Sequence, residues 1–316
     1  MRVVALAGGV GGAKLAHGLA MALAPQDLAV IVNTGDDFDH LGLRICPDVD
    51  TVTYTLAGIA NPETGWGIAG DTFEFLAASG RLGAPSWFRI GDRDLATHVE
   101  RTRRLAAGQS LTEATRAVAA ALDARHPVLP MSDDPVRTLV ETDEGTLEFQ
   151  EYFVARGCEP RVTGFRFAGV DSAQPSQEAV AALSAAELVV LCPSNPFVSL
   201  GPILALAGVK DLIAARPAIA VSPIVGGEAL KGPAAKMLLE LGLDVSAEAV
   251  ARLYQGLVGG FVLDKLDGRQ EPAVAALGMN TLVTDTVMRS DSGRRRLADA
   301  VLAFAGWVRP AHTGAG

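Results

Sequence analysis

Short apolar runs alternate with segments of helical period along most of this chain, and that alternation constrains the fold more than any other feature. Val3 to Ala7 and Leu28 to Asn33 read as buried strands. After Ser176 the strands "ELVVLC", "AIAVS", "GFVLD" and "NTLVT" follow, each separated from the next by helical sequence. Strands apolar on both faces need helices above and below, so an α/β fold with a doubly wound, mainly parallel sheet is expected. Helices are predicted from Ala13 to Leu23, Pro47 to Ala60 and Asp71 to Ser79, and for "RDLATHVERTRRLAAG". Another, "SLTEATRAVAAALDA", opens with a capping box from Ser110 to Glu113. The last runs from Arg294 to Phe304, before a Gly-rich tail expected to fray. In the middle, "VRTLVETDEGTLEFQEYF" predicts an antiparallel hairpin around Asp143-Glu144-Gly145, and "EPRVTGFRFAGV" a strand nearby. Residues 85–170 would then form a smaller subdomain covering the site.

The 316 residues can bury a real core, and no linker or repeat divides them, so a single domain over 1–316 is expected. Hydrophobic residues at 49% and charged residues at 20% suit a globular protein. A net charge of -9 removes the basic footprint that nucleic acid requires. Cys46, Cys158 and Cys192 lie too far apart in sequence to suggest a disulfide framework or a zinc knuckle. No apolar run reaches bilayer length, and no basic-then-apolar leader precedes the first strand. The expectation is a cytoplasmic protein without membrane or nucleic-acid partners.

Open α/β sheets bind ligands beyond the carboxyl ends of their strands. Those ends carry "GGVGGAK", "NTGDD", "PSNPFVSLGP" and "SPIVGGEALKGPAAK". In the first, Gly9, Gly11 and Gly12 let the backbone approach an oxygen-rich ligand, and Lys14 adds charge. It is neither common phosphate motif. Lys14 stands where a dinucleotide fingerprint needs its third glycine, and Leu15 follows where a Walker loop needs Ser or Thr. Ser194, Asn195, Gly226 and Lys231 on two later strand ends point to a diphosphate held across the rim.

An acidic cluster of Asp36, Asp37, Asp39, Asp48 and Asp50 follows the second strand and Asn33. Asp48 and Asp50 read as carboxylates at a helix start. Asp36 and Asp37 read equally well as a solvated loop or as contacts to Mg²⁺ or substrate. "RIGDRDLATH" crowds Arg89, Asp92, Arg93, Asp94 and His98 at a helix start, either as caps and surface pairs or as a clamp for a polar ligand. In "LPMSDDPVRT", Ser132, Asp133 and Asp134 form a turn signal that could complete a metal or hydroxyl-activating site. No nucleophile elbow and no cysteine beside a histidine occur, so covalent nucleophilic catalysis is not expected.

In that order, "GGVGGAKL", "VNTGDD", "PDVDTVTYTL", "GDRDLATH", "PMSDDPVRT", "PSNPFVSLGP" and "SPIVGGEALKGPA" resemble the 2-phospho-L-lactate transferases of coenzyme F-420 biosynthesis. The resemblance runs from Val3 to about Ala305 and implies a Rossmann-like α/β protein with an inserted smaller α+β region. It implies that a guanosine diphospho-linked donor gives a 2-phospholactyl, phosphoenolpyruvyl or 3-phosphoglyceryl group to the terminal hydroxyl of the deazaflavin Fo, releasing GMP. Mg²⁺ is the implied cofactor and a homodimer the expected assembly.

Asp50 and Arg89 match positions that contact the deazaflavin in that family. The resemblance and the motifs together give Asp50 and Asp36 as expected catalytic residues, and Asp36, Asp37 and Asp50 as expected metal ligands. Substrate contacts are expected from Gly9, Gly11, Gly12, Lys14, Asn33, Asp50, Arg89, Asp92, His98, Ser132, Asp133, Ser194, Asn195, Gly226 and Lys231. "GGVGGAK" departs from the family's commoner "GGTGTPK", losing a hydroxyl donor but keeping Lys14. A related group of non-enzymatic, nucleotide-sugar-binding regulatory proteins, the gluconeogenesis-factor group, is the alternative, and the pair "GDRDLATH" and "PMSDDPV" favours the transferase. Asp50→Asn is expected to leave the melting temperature near normal while kcat falls at least about a hundredfold.

Overall fold

Val3–Ala7, buried along its whole length, lies inside a seven-stranded sheet whose pairings are all parallel. Across the sheet the order is Asn280–Thr284, Gly260–Asp264, Ala218–Val221, Leu188–Leu191, Val3–Ala7, Leu28–Val32 and Val128–Pro130. The chain builds outward from Val3–Ala7 to Val128–Pro130, then crosses back and builds the other way from Leu188–Leu191. Strand order therefore reverses between Val3–Ala7 and Leu188–Leu191, which makes the carboxyl ends of these two strands the switch point. The computed structural model describes residues 1–311, so the end of the tail expected to fray lies outside the described residues.

Successive side chains of a strand face opposite sides. Val4 and Leu6 accordingly join one hydrophobic layer, with Leu191, Ile203 and Phe261. Val3, Ala5 and Ala7 join the other, with Leu15, Leu19 and Val301. The fold is thus the expected Rossmann-like, doubly wound α/β sheet. Among the described residues no helix is long and apolar enough to cross a membrane.

Several element boundaries shift. The first helix is Gly9–Ala22, so the glycine turn is itself the first turn of the helix. Pro47–Leu56 and Glu74–Arg81 replace the predicted second and third helices, and the capping box at Ser110 is present. The predicted hairpin forms as Arg137–Thr142 against Gly145–Glu148, with Val162–Ala168 on its other edge. Residues 85–170 do not form one inserted unit, however. Val128–Pro130, buried throughout, leaves that segment to pair with Leu28–Val32 in the central sheet. A hairpin not foreseen in "DDFDHLGLRI" joins Phe38–His40 to Leu43–Ile45, with Leu41 and Gly42 both at positive φ in its turn.

Candidate active site

At the switch point the turn after Val3–Ala7 packs directly on the loop after Leu188–Leu191. The Gly8 amide donates to Ser194 Oγ at 3.1 Å. A β carbon on Gly11 would sit 2.4 Å from the Pro193 carbonyl oxygen, and one on Gly12 would sit 2.4 Å from Ser194 Oγ. These glycines therefore serve loop-to-loop approach before any ligand arrives. Beside them opens a cavity of about 820 Å³, lined by Gly9, Gly11, Lys14, Ser194, Asn195 and Lys231 among others. Burial first, and then the charges of Arg294 and Lys231, hold the Lys14 ammonium below the usual lysine range.

The aspartates divide into three environments. Asp48 Oδ1 accepts the Gly9 amide at 2.7 Å, and its Oδ2 accepts Asn33 Nδ2 at 2.9 Å. Asn33 also donates to the Val198 carbonyl and accepts the Gly35 amide, so it holds Asp48 from behind the cavity wall. Asp36 and Asp48 both line the cavity and are buried. Burial, then the charge of Asp48, pushes the Asp36 carboxyl well above the usual range. Asp37 is pushed up to about 8, mainly by burial, and it lines not the cavity but an adjoining crevice with Phe38 and Thr138, which Asp36 lines as well.

Asp50 meets a different partner. The helix Asp92–Ala106 places Asp94, His98 and Arg101 on one buried face, at i, i+4 and i+7. Arg101 Nη1 donates to Asp50 Oδ2 at 3.1 Å, and its Nη2 donates to Asp50 Oδ1. His98 lies between two carboxylates, with Nδ1 3.6 Å from Asp50 Oδ2 and Nε2 3.3 Å from Asp94 Oδ1. Tyr54 donates its hydroxyl to Asp94 at 2.6 Å. Burial would raise the Asp94 carboxyl, but the hydrogen bond and charge of His98 bring it below the usual range.

The expected metal set of Asp36, Asp37 and Asp50 is therefore not brought to one point. Among the described residues, the group of three whose ligand atoms lie within 4.8 Å of one another is Asp50, Asp94 and His98. There the Arg101 guanidinium already supplies the positive charge.

Aromatic rings form another part of the lining, an aromatic wall. Trp87 stacks on Phe38, with ring centroids 5.7 Å apart, and Phe149 stacks on Phe153 at 5.4 Å. Trp66, Trp87, Phe88, Phe149 and Phe153 all line the cavity. So does Arg89, whose guanidinium lies 4.5 Å from the centroid of the Phe73 ring.

Of the expected residues, Gly9, Gly11, Lys14, Asp36, Asp50, Arg89, His98, Ser194, Asn195 and Lys231 line this one cavity. Gly12, Asn33, Asp37, Asp92, Ser132, Asp133 and Gly226 do not. Asp92 is a cap, accepting the Glu74 and Phe75 amides. Asp133 accepts the Thr112 amide at the start of another helix. Ser132 donates to the Gln174 carbonyl and accepts the Asp134 amide. Gly226, at positive φ in a hairpin turn, donates to Asp267. In each case a backbone group claims the side chain, or a side chain claims the backbone. Sequence reasoning misses Tyr54, Arg101 and the aromatic wall, and it reaches Asp48 only as a helix-start carboxylate and Asp94 only as one member of the "RIGDRDLATH" cluster. The i, i+4, i+7 spacing of Asp94, His98 and Arg101 is the signal that could have added Arg101 to the other two.

Fold and cavity define a Rossmann-like protein that can seat a large anionic ligand with an aromatic part at the switch point. The family model described as 2-phospho-L-lactate transferase CofD matches residues 3–288. The chain is 42% identical to the phosphoenolpyruvate transferase of Kitasatospora aureofaciens, over 98% of its own length and 99% of that protein. It is 39% identical to the 2-phospho-L-lactate transferase of Methanosarcina acetivorans, over 95% of its length and 98% of that protein. Among solved structures, protein BH3568 from Bacillus halodurans shares the fold, with a TM-score of 0.62 at 16% identity, covering 95% of this chain and 99% of that one. The chain belongs to the 2-phospho-L-lactate transferase CofD family, and it is a transferase.

Proposed function

We propose that this transferase acts in coenzyme F-420 biosynthesis and moves a phospholactyl, phosphoenolpyruvyl or phosphoglyceryl group from a guanosine diphospho-linked donor to the terminal hydroxyl of Fo. One observation carries the reading. A single cavity is lined by the glycine turn with Lys14 and Lys231, by Asp50 and His98, and by an aromatic wall suited to a planar ring system. In the reaction the Fo hydroxyl oxygen attacks the phosphorus that bears the phosphoacid. The bond from that phosphorus to the bridging oxygen breaks, the electron pair leaves with GMP, and the hydroxyl proton goes to a carboxylate.

Such a displacement needs in-line positioning and neutralisation of spreading negative charge. Lys14, Lys231 and the Val10 and Gly11 amides at the start of the helix Gly9–Ala22, which lack intrahelical acceptors, are placed to offset charge on the leaving phosphate. Asp50, fixed by Arg101, accepts the hydroxyl proton or its hydrogen bond. The aromatic wall holds the deazaflavin.

Mg²⁺ fits Asp36 and Asp48. Both residues line the cavity, both are buried, and Asp36 Oδ1 has no hydrogen-bond partner. A bound Mg²⁺ would neutralise the diphosphate. The cytoplasm is the proposed location and a homodimer the proposed assembly, the latter checked by sedimentation.

The test supplies Fo, MgCl2 and each of the three guanosine diphospho-linked donors, and identifies products by mass. The expected result is GMP together with one Fo–phosphoacid adduct. No adduct with any donor would overturn the reading.

A further inference from the structure

Arg101 is 1% exposed, yet it is charged, and it does not line the cavity that Asp50 lines. Burying a guanidinium is costly unless it is paired and hydrogen-bonded. Here the partner is Asp50, gripped through both carboxylate oxygens by the two terminal nitrogens of the fork. The fork is itself anchored. Nη1 also donates to the Arg44 carbonyl at 3.3 Å, at the end of the Phe38–Ile45 hairpin, and lies 3.4 Å from His98 Nδ1.

A carboxylate has about four lone-pair sites. With two of them taken by a fixed planar fork, the plane of the Asp50 carboxylate and the direction of its remaining lone pairs are set. A lysine could match the charge but not this geometry, because an ammonium is a single point on a flexible stem.

We propose that Arg101 is a positioning residue that acts through Asp50, clamping its carboxylate in the orientation needed to meet the acceptor hydroxyl. The inference rests on the reading of the cavity as the Fo-binding transferase site. Since Arg101 lies outside the cavity wall, any effect it has on transfer reaches the substrate by way of the group it holds. The helix Asp92–Ala106 and the helix Pro47–Leu56 are thereby joined at the site itself.

A double-mutant cycle tests this, because a residue that acts only through another adds little once the other is gone. The variants are Arg101→Lys, Arg101→Met, Asp50→Asn and the pair Asp50→Asn/Arg101→Met. Each is followed by melting temperature, kcat, and KM for donor and for Fo. Arg101→Lys is expected to lower kcat at least tenfold while the donor KM stays within twofold. In the Asp50→Asn background, Arg101→Met is expected to change kcat by less than threefold.

Arg101→Lys keeps a positive partner for Asp50, and the double variant removes both members of the buried pair; where a single neutral variant does not fold, the Arg101→Lys arm decides. Parental kcat in Arg101→Lys, equal losses toward donor and Fo, or a double-variant loss equal to the product of the single losses would overturn the proposal while leaving the transferase reading in place. A parent that turns over no Fo would overturn both.

Discussion

Asp48 accepts the amide of Gly9 at 2.7 Å, joining the start of the helix Pro47–Leu56 to the glycine turn that opens the first helix. The same carboxylate shares the cavity with Asp36, whose own charge is disfavoured by burial and by Asp48. Two buried carboxylates facing one space repel unless a proton or a cation lies between them. A divalent ion offsets both charges at once.

Asp36→Asn and Asp48→Asn are therefore expected to raise the Mg²⁺ concentration at half-maximal rate at least tenfold, and exhaustive chelation should abolish turnover in the parent. Rate against MgCl2 concentration measures both. Parental titration curves in both variants, or full turnover after chelation, would refute the assignment.

Gly11 faces the Pro193 carbonyl so closely that an added methyl would stand 2.4 Å from its oxygen. That atom is backbone, so the clash is relieved only by moving the strand-end loop that carries Ser194. Overpacking of this kind costs about 1–3 kcal/mol. Gly11→Ala should lower the melting temperature by several degrees and raise the donor KM at least tenfold, with a smaller effect on the KM for Fo. Equal effects on both substrates would argue that the turn does not face the donor.

Asp37 offers a pH prediction. Burial pushes its carboxyl up to about 8 in the folded protein, against an ordinary value of 3.8. Between those values the folded state binds more protons than the unfolded state, so stability falls as pH rises. The contribution of this group is complete below pH about 3.8 and is lost as pH approaches about 8. Asp37→Asn removes the ionisation. Its melting temperature should gain on that of the parent steadily from pH 5 to pH 8, as read by calorimetry without substrates. A difference that stays flat over this window would show that Asp37 titrates in the ordinary range.

The sheet was legible because a fully buried parallel strand has to be apolar on both faces, and Val3–Ala7 and Leu188–Leu191 are. The rim was legible too, since glycines and short polar residues end those strands. The individual carboxylates were not. Asp36 and Asp37 are neighbours in sequence and share a small crevice, yet only Asp36 also lines the large cavity, and Asp92 and Asp94 differ by two residues yet become a cap and a His98 partner. Position along the chain does not say which donor reaches a carboxylate first. Ser132 and Asp133 looked like site residues for the same reason, and backbone amides had already claimed both. The aromatic wall escaped because its members come from three separate segments that only the tertiary fold brings together, with Trp66, then Trp87 and Phe88, then Phe149 and Phe153.

In the fold, Asp50→Asn carries a different expectation for stability than a helix-start position alone would. As a helix-start residue alone, Asp50 could be exchanged for Asn at little cost. In the fold it is the counter-charge of Arg101, which is 1% exposed and has no second carboxylate among its hydrogen-bond partners. Removing one partner of a buried ion pair costs about 3–5 kcal/mol, because the other charge stays buried and unpaired. With an unfolding entropy of about 2.1 cal/mol/K per residue, each kcal/mol is worth about 1.5 °C in a chain of 316 residues, so a fall of several degrees is expected. Loss of a carboxylate acting as general base should lower kcat by about 10²–10⁴. Asp50→Asn/Arg101→Met should recover most of the melting temperature and none of the activity, which separates the electrostatic role from the chemical one. Thermal melts and steady-state rates on the two variants decide it: a near-parental melting temperature in Asp50→Asn would mean that Arg101 finds another partner, and a rate within a few-fold of the parent would remove Asp50 from the chemistry.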